Sequence, residues 1–266
     1  MSAPIPYFEV HGDRGPYLLL MHGMLSGRSQ WLLNLPALTA ACRPVVVELW
    51  GHGRSPAPDD PALYSYRGYL DSFERIRSEL GIDDWFVCGQ SFGATLTIRY
   101  AIQYPERTNG QIFTNSASAL VAAAGQDSSQ SRPDLEKHAQ AIAAGGLKLI
   151  EQMRIHPSHA RNLPKEAKQA LLADAALINP RAIAMIFRHI NGSSVVDLLP
   201  RNSVPSLLVC GSREKSFTPG RIAAEQNMPH LEVVMAEAGH AVNIQRADVF
   251  NDSVIDFIQR HGKDSN

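Results

Sequence analysis

Gly89-Gln90-Ser91-Phe92-Gly93 sets a serine between two glycines, each two residues away. The apolar run Trp85-Phe86-Val87-Cys88 precedes it, and a helix-like stretch, Ala94 to Tyr104, follows. Strand, tight turn and helix with serine at the apex present a hydroxyl on a strained backbone, and small flanking residues let strand and helix approach. A hydroxyl is a poor nucleophile until a base removes its proton, and that base needs an acceptor to hold its tautomer. A serine so placed therefore calls for a histidine, a carboxylate and N–H donors for the oxyanion formed when it attacks a carbonyl.

His240, in Ala238-Gly239-His240, follows the last strand-like run and precedes the final helix, where an imidazole can reach Ser91. The loop after Leu207-Leu208-Val209-Cys210 offers Glu214, at the end of the strand before the histidine strand. A competing position, after Ile112-Phe113-Thr114, holds Asn115 and Ser116 and no acid, and Glu237 is expected on the strand itself. Glu214 is the acid by elimination. The oxyanion donors expected are the backbone N–H of Phe92, at the start of the helix after the turn, and that of Met24, in His22-Gly23-Met24 after the second strand.

The elements that must position these groups alternate along the chain. Tyr7–Val10, Tyr17–Met21, Val45–Val47, Trp85–Cys88, Gln111–Thr114, Ser206–Val209 and Leu231–Met235 read as strands. Ser29–Leu38, Tyr66–Leu80 (closed by Gly81) and Asp248–Arg260 read as helices. Strands alternating with helices imply a mostly parallel central sheet with helices on both faces, an α/β fold. From 116 to 200 the alternation lapses. Leu147–Ile155, Lys165–Ala176 and Arg181–Ile190 look helical, the last opened by Asn179-Pro180, while Gln126–Arg132 is polar and serine-rich, a mobile loop. The division expected is a core of 1–115 and 201–266 carrying an inserted helical cap at 116–200.

The ordered pieces Leu20-Met21-His22-Gly23-Met24, Glu48-Leu49-Trp50-Gly51-His52-Gly53-Arg54-Ser55, Gly89-Gln90-Ser91-Phe92-Gly93, Tyr104-Pro105-Glu106-Arg107, Cys210-Gly211-Ser212-Arg213-Glu214 and Ala238-Gly239-His240 resemble the α/β-hydrolase superfamily over essentially the whole chain. The resemblance implies Ser91 as nucleophile, His240 as base, Glu214 as acid, and Met24 with Phe92 as oxyanion donors. It also implies an esterase-like serine hydrolase with a helical cap. Two departures stand out: Glu48 opens a segment that usually begins with aspartate, and Glu214 occupies a position more often held by aspartate. Serine rather than aspartate at residue 91 argues against haloalkane dehalogenase or epoxide hydrolase chemistry.

Composition narrows the remaining choices. Within 266 residues, 44% are hydrophobic, enough for a large core, and Lys plus Arg total 25 against 26 for Asp plus Glu. That balance gives no electrostatic reason for a nucleic-acid or anionic-membrane partner. No secretory leader or membrane-length apolar run is visible, so the expectation is a cytoplasmic protein with a small-molecule, ester-like partner and no membrane insertion. Cys42, Cys88 and Cys210 read as buried reduced thiols. No dinucleotide or phosphate-loop pattern appears, so no cofactor is expected. His156 and His159 read as surface side chains rather than metal ligands, His22 and His52 as loop braces, and Trp31, Trp50 and Trp85 as packing groups. Within the cap, Met153, Ile183, Met185, Ile186, Phe187 and Ile190 are the expected substrate-pocket residues. Arg154 and Arg188 could meet a substrate carboxylate, though solvated surface side chains are the preferred reading. A carboxylic ester or lactone is the expected substrate. The alternatives are a receptor-like ligand-binding member of the fold, and a carbon–carbon hydrolase or lyase using the same serine and histidine.

Overall fold

Strands whose both faces are covered can be apolar without interruption, and the apolar runs of this chain become one seven-stranded sheet. A computed structural model describes residues 4–120, 128–189 and 194–262, and the side chains among these except at 128–134. The strands are β1 (Phe8–Val10), β2 (Tyr17–Met21), β3 (Arg43–Val47), β4 (Trp85–Gly89), β5 (Thr108–Thr114), β6 (Ser206–Gly211) and β7 (Leu231–Ala236). Their order is β1-β3-β2-β4-β5-β6-β7, with β1 antiparallel to β3 and every other neighbour parallel.

The helices are α1 (Leu35–Leu38), α2 (Tyr66–Glu79), α3 (Phe92–Gln103), α4 (Ala117–Leu120), α5 (Ser128–Gln152), α6 (Lys165–Ala175), α7 (Pro180–His189), α8 (Thr218–Asn227), α9 (Val242–Gln245) and α10 (Ala247–His261). Alternation along each strand divides the core between two faces. Leu19 and Met21 of β2 pack with Phe73 of α2 and Leu96 of α3, whereas Leu18 and Leu20 pack with Phe250, Val254 and Phe257 of α10. Trp31, Trp50 and Trp85 are wholly buried packing groups, and the three cysteines are buried free thiols.

Several sequence expectations meet different outcomes. Ser29–Leu38 is not one helix: a 3₁₀ turn at Arg28–Trp31 and the short α1 replace it, with Pro36 near the start of α1. Of Gln126–Arg132, read as a loop, residues 128–132 belong to α5, and 126–127 lie outside the described residues. The helix expected to run to Ile155 stops at Gln152, after a break at Gly146, where φ is 59°. Asn179 does cap α7, its Oδ1 accepting the N–H groups of Arg181 and Ala182. Between β5 and β6 the described residues contain no strand. No single described helix is long and apolar enough to cross a membrane.

Candidate active site

The turn after β4 puts Ser91 at φ 53°, ψ −111°, a left-handed φ that few non-glycine residues adopt. Tight packing imposes it. A Cβ added to Gly93 would lie 2.0 Å from the carbonyl oxygen of Met21, and one on Gly89 would lie 2.2 Å from the backbone of Gly93. The glycines let α3 start directly against β2 and β4, leaving Ser91 half-buried at the carboxyl end of the sheet.

The loop after β2 closes against this turn. A Cβ on Gly23 would lie 3.3 Å from Ser91 Cβ and 2.3 Å from Gln90 Oε1. His22 Nε2 accepts the Leu49 N–H at 3.0 Å, so its Nδ1 carries the proton and donates to the Gly23 carbonyl at 2.8 Å. In a trans peptide the C=O and the following N–H point in opposite directions. Holding the Gly23 carbonyl on the His22 side therefore aims the Met24 N–H the other way. Neither the Met24 nor the Phe92 N–H meets an acceptor among the described residues.

His22 and His52 are fully buried, with ring centroids 4.9 Å apart. Burial pushes His22 down to about 4, its bond to Gly23 opposing only in part; burial, then the neighbouring His22, pushes His52 down to about 3. Both stay neutral in the folded protein while the unfolded chain takes up protons below about 6.5. Their contribution to stability is thus full above pH 6.5 and lost as pH falls towards 4 and 3, by about 1.4 kcal/mol per pH unit for each ring. The thermal midpoint should fall steadily from pH 6.5 to 5, and His52→Gln, which cannot titrate, should make that slope shallower by about one proton. An unchanged slope in melts across that range would show that His52 is not buried neutral.

At the far end of the site, His240 Nδ1 lies 3.0 Å from both carboxylate oxygens of Glu214. The imidazole is 46% exposed and the carboxylate 20%, so the pair opens to solvent through the histidine. Burial raises the Glu214 carboxyl, but the hydrogen bond and charge of His240, the Asn115 amide and the Arg154 charge outweigh it and hold the group below its ordinary value. The loop is joined to the serine turn through Gln90 Nε2, 3.4 Å from the His240 carbonyl. No hydrogen bond joins Ser91 to His240 among the described residues. Resting sites often show such long or missing contacts, which tighten in the substrate complex. Glu237 lies beyond β7, not on it, and pairs with Arg213 at 2.7 Å.

Three groups of supporting residues escaped sequence reasoning. Asn115 is fully buried; its Nδ2 donates to Glu214 Oε2 (2.8 Å) and the Gly211 carbonyl (3.0 Å), and its Oδ1 accepts the Gly211 N–H (2.9 Å). A buried chain of polar side chains runs from Ser26 through Gln30, Asn243 and Asn34 to Asn251, tying the Met24 loop to the helices after His240. Asp174 of α6 accepts the Ser29 N–H at 2.8 Å, Asn179 donates its N–H to the Gly51 carbonyl at 2.8 Å, and Gln245 bridges the Gly239 N–H to the Arg161 carbonyl. These last three fasten the 116–200 segment to loops at the carboxyl edge of the sheet.

The remaining candidates have varied surroundings. Ile183 and Ile186 are fully buried, in the same apolar cluster as Phe92; Met24, Met153, Met185 and Phe187 pack half-buried against it. Ile190 lies outside the described residues. Arg188 makes a bidentate pair with Glu136, both contacts 2.8 Å. Glu48 braces its own loop by accepting the Arg54 N–H at 2.7 Å. His156, expected at the surface, is buried, its ring held by Ser158, while His159 is exposed.

Comparison with known proteins agrees with this architecture. A dihydrolipoyllysine-residue acetyltransferase component of an acetoin cleaving system from Pseudomonas putida is 25% identical over 279 residues, covering 96% of this chain, which spans only 66% of that relative's length. The enol-lactonase of Burkholderia xenovorans LB400 superposes with a TM-score of 0.77 at 21% identity, over 95% of this chain and 96% of its own. MenH from S. aureus superposes with a TM-score of 0.83 at 17% identity, over 96% and 98%. At those identities the two structures speak to the fold alone. Residues 16–247 match the sequence profile of the alpha/beta hydrolase fold, and the chain belongs to that family.

Proposed function

We propose that this protein is a serine hydrolase that cleaves a carboxylic ester or lactone through an acyl-enzyme. The single observation that carries the reading is the His240–Glu214 pair, held at the same sheet edge as a serine at φ 53°. Glu214 accepts from Nδ1–H, which leaves Nε2 with the lone pair a general base needs. Ser91 Oγ attacks the carbonyl carbon as His240 Nε2 takes its proton. The oxyanion accepts the N–H groups of Met24 and Phe92, each worth on the order of a hundredfold or more in rate. The C–O bond to the leaving group then breaks, and His240 returns the proton to the departing alkoxide, which in a lactone stays tethered to the acyl group. Water, deprotonated by the same nitrogen, attacks the acyl-enzyme; the acid is released and Ser91 recovers its proton.

Residues 116–200 act as a cap in this reading, supported by their anchors at Ser29, Gly51 and Gln245. Met153, Met185 and Phe187, packed half-buried against the Phe92 cluster, are its candidates for substrate contact.

The test is covalent trapping. A fluorophosphonate should label the folded protein once, at Ser91 as located by peptide mass spectrometry, and acid-unfolded protein should not react. Labelling elsewhere, or none in folded protein, would overturn the proposal.

A further inference from the structure

Resting on that hydrolase reading, we infer that Asp174 is a positioning residue for the oxyanion donor: through it the cap holds the Met24 loop in its working shape. Where the loop leaves β2, His22 orients the Gly23 carbonyl and with it the Met24 N–H. The other side of Met24 is strained. Leu25, wholly buried, takes φ 58°, a left-handed conformation that a leucine keeps only when its surroundings enforce it. A short relay braces it. The Ser26 N–H donates to the Gly23 carbonyl at 3.3 Å, Ser26 Oγ donates to Gln30 Oε1 at 2.9 Å, and the Gln30 N–H donates to the Gly27 carbonyl at 3.1 Å.

Asp174 fixes that relay from the cap. Gly27 precedes the 3₁₀ turn Arg28–Trp31 and has no side chain with which to cap it. The carboxylate of Asp174, buried in the last turn of α6, takes that place from 145 residues along the chain, accepting the Ser29 N–H at 2.8 Å. The fit is close: a Cβ on Gly27 would lie 2.7 Å from Oδ2 and 2.9 Å from the Cβ and Cγ of Asp174. Beside this bond, Ala167 and Leu171 of α6 pack with Leu33, with Ile244 of α9 and with Ala241, the residue after His240. One cap helix therefore rests on the stretches that follow both the oxyanion donor and the base. The other fastenings act elsewhere: Asn179 holds Gly51, Gln245 holds Arg161, and Arg181 pairs with Asp59 at an exposed site. Among the described cap residues, only Asp174 hydrogen-bonds to residues 22–31. Without it, Leu25 can relax and carry the Met24 N–H away from the oxyanion, while the His240–Glu214 pair keeps its place. Gln30 stays tied to Asn243, so the loss is partial.

A thionoester, in which C=S replaces C=O, reads the donor directly, because sulfur is the weaker hydrogen-bond acceptor and gains less from it. Asp174→Ala should lower kcat on p-nitrophenyl butyrate roughly ten- to a hundredfold, with KM within a few-fold of wild type. The rate ratio of that ester to its thiono twin should fall as well, which a general loosening of the fold would not cause. Asp174→Asn, whose amide oxygen can still accept the Ser29 N–H, should stay within a few-fold of wild type. Gly27→Ala displaces the carboxylate while keeping its charge, and should repeat the fall in the ratio; it decides the matter where Asp174→Ala does not fold. An unmoved ratio in either folded variant overturns the inference, and so does an Asp174→Asn as impaired as Asp174→Ala. Failure of both Asp174→Ala and Gly27→Ala to fold would assign Asp174 to the fold alone and overturn it too. Fluorophosphonate labelling separates this failure from the larger one. Normal labelling of wild-type Ser91 with an unmoved ratio defeats only the role of Asp174, whereas absence of wild-type labelling defeats the hydrolase reading and this inference with it.

Discussion

Ser91→Ala should lower kcat on any ester the protein turns over by at least about ten-thousand-fold, with KM within a few-fold of wild type. The loss is this large because nucleophile and base act as a unit: without Oγ the His240–Glu214 pair has no proton to accept. The residual rate comes from the Met24 and Phe92 donors and from substrate positioning. A second variant tests the geometry independently of the chemistry. Ser91 sits at φ 53°, which costs a non-glycine residue on the order of 1–3 kcal/mol. Alanine keeps that cost and glycine does not. Ser91→Gly should therefore be equally inactive yet melt several degrees higher than Ser91→Ala. Steady-state kinetics and scanning calorimetry suffice. Retention of even a tenth of wild-type turnover in either variant would remove Ser91 from the reaction, and identical melting points would remove the strain.

What could be read in advance divides by range. The strands were legible because apolar, β-branched runs such as Val45–Val47 and Leu207–Val209 lie between polar turns, and all seven expected runs form the sheet. Ser91, His240 and Glu214 stood out as candidates because each follows a strand end, and of the three the structure pairs His240 with Glu214. The supporting groups carry no such local signal. Asn115 lies 99 residues from Glu214 and Gln30 lies 213 from Asn243, and in sequence each is one more polar residue in a loop. Asn115 was read only as the absence of an acid, when its amide is what the acid leans on. His156 misled in the opposite direction, a polar residue beside a proline that proves buried through its bond to Ser158. Ser29–Leu38 failed for a local reason: Trp31, Leu32, Leu35 and Leu38 have helical spacing, yet the segment breaks into two short pieces around the buried Asn34, whose amide is committed to Asn243 and Asn251. Tertiary hydrogen bonding outweighed periodicity there.

Glu214→Gln should cost roughly a thousand- to ten-thousand-fold in kcat with little change in KM, and Asn115 is why a nearly isosteric amide fails. Glu214 accepts from two donors at once, His240 Nδ1–H and Asn115 Nδ2–H. A glutamine offers one oxygen and one NH₂ group, so one donor must face an amide that also donates. Asn115 cannot turn to accommodate it, because its own oxygen and nitrogen are both committed to the Gly211 backbone. The glutamine oxygen is therefore drawn to Asn115, and its NH₂ group faces His240. Facing that donor, Nδ1 must become the acceptor, which places the imidazole proton on Nε2, where it can no longer take one from Ser91. It follows that adding Asn115→Ala should recover part of the Glu214→Gln loss, since the amide is then free to present its oxygen to Nδ1. Kinetics of the two single variants and the double variant, at a pH where His240 is neutral, decide the matter. Near-normal turnover in Glu214→Gln would mean that another group orients His240. A double variant slower than Glu214→Gln alone would mean that Asn115 serves the fold and not the tautomer.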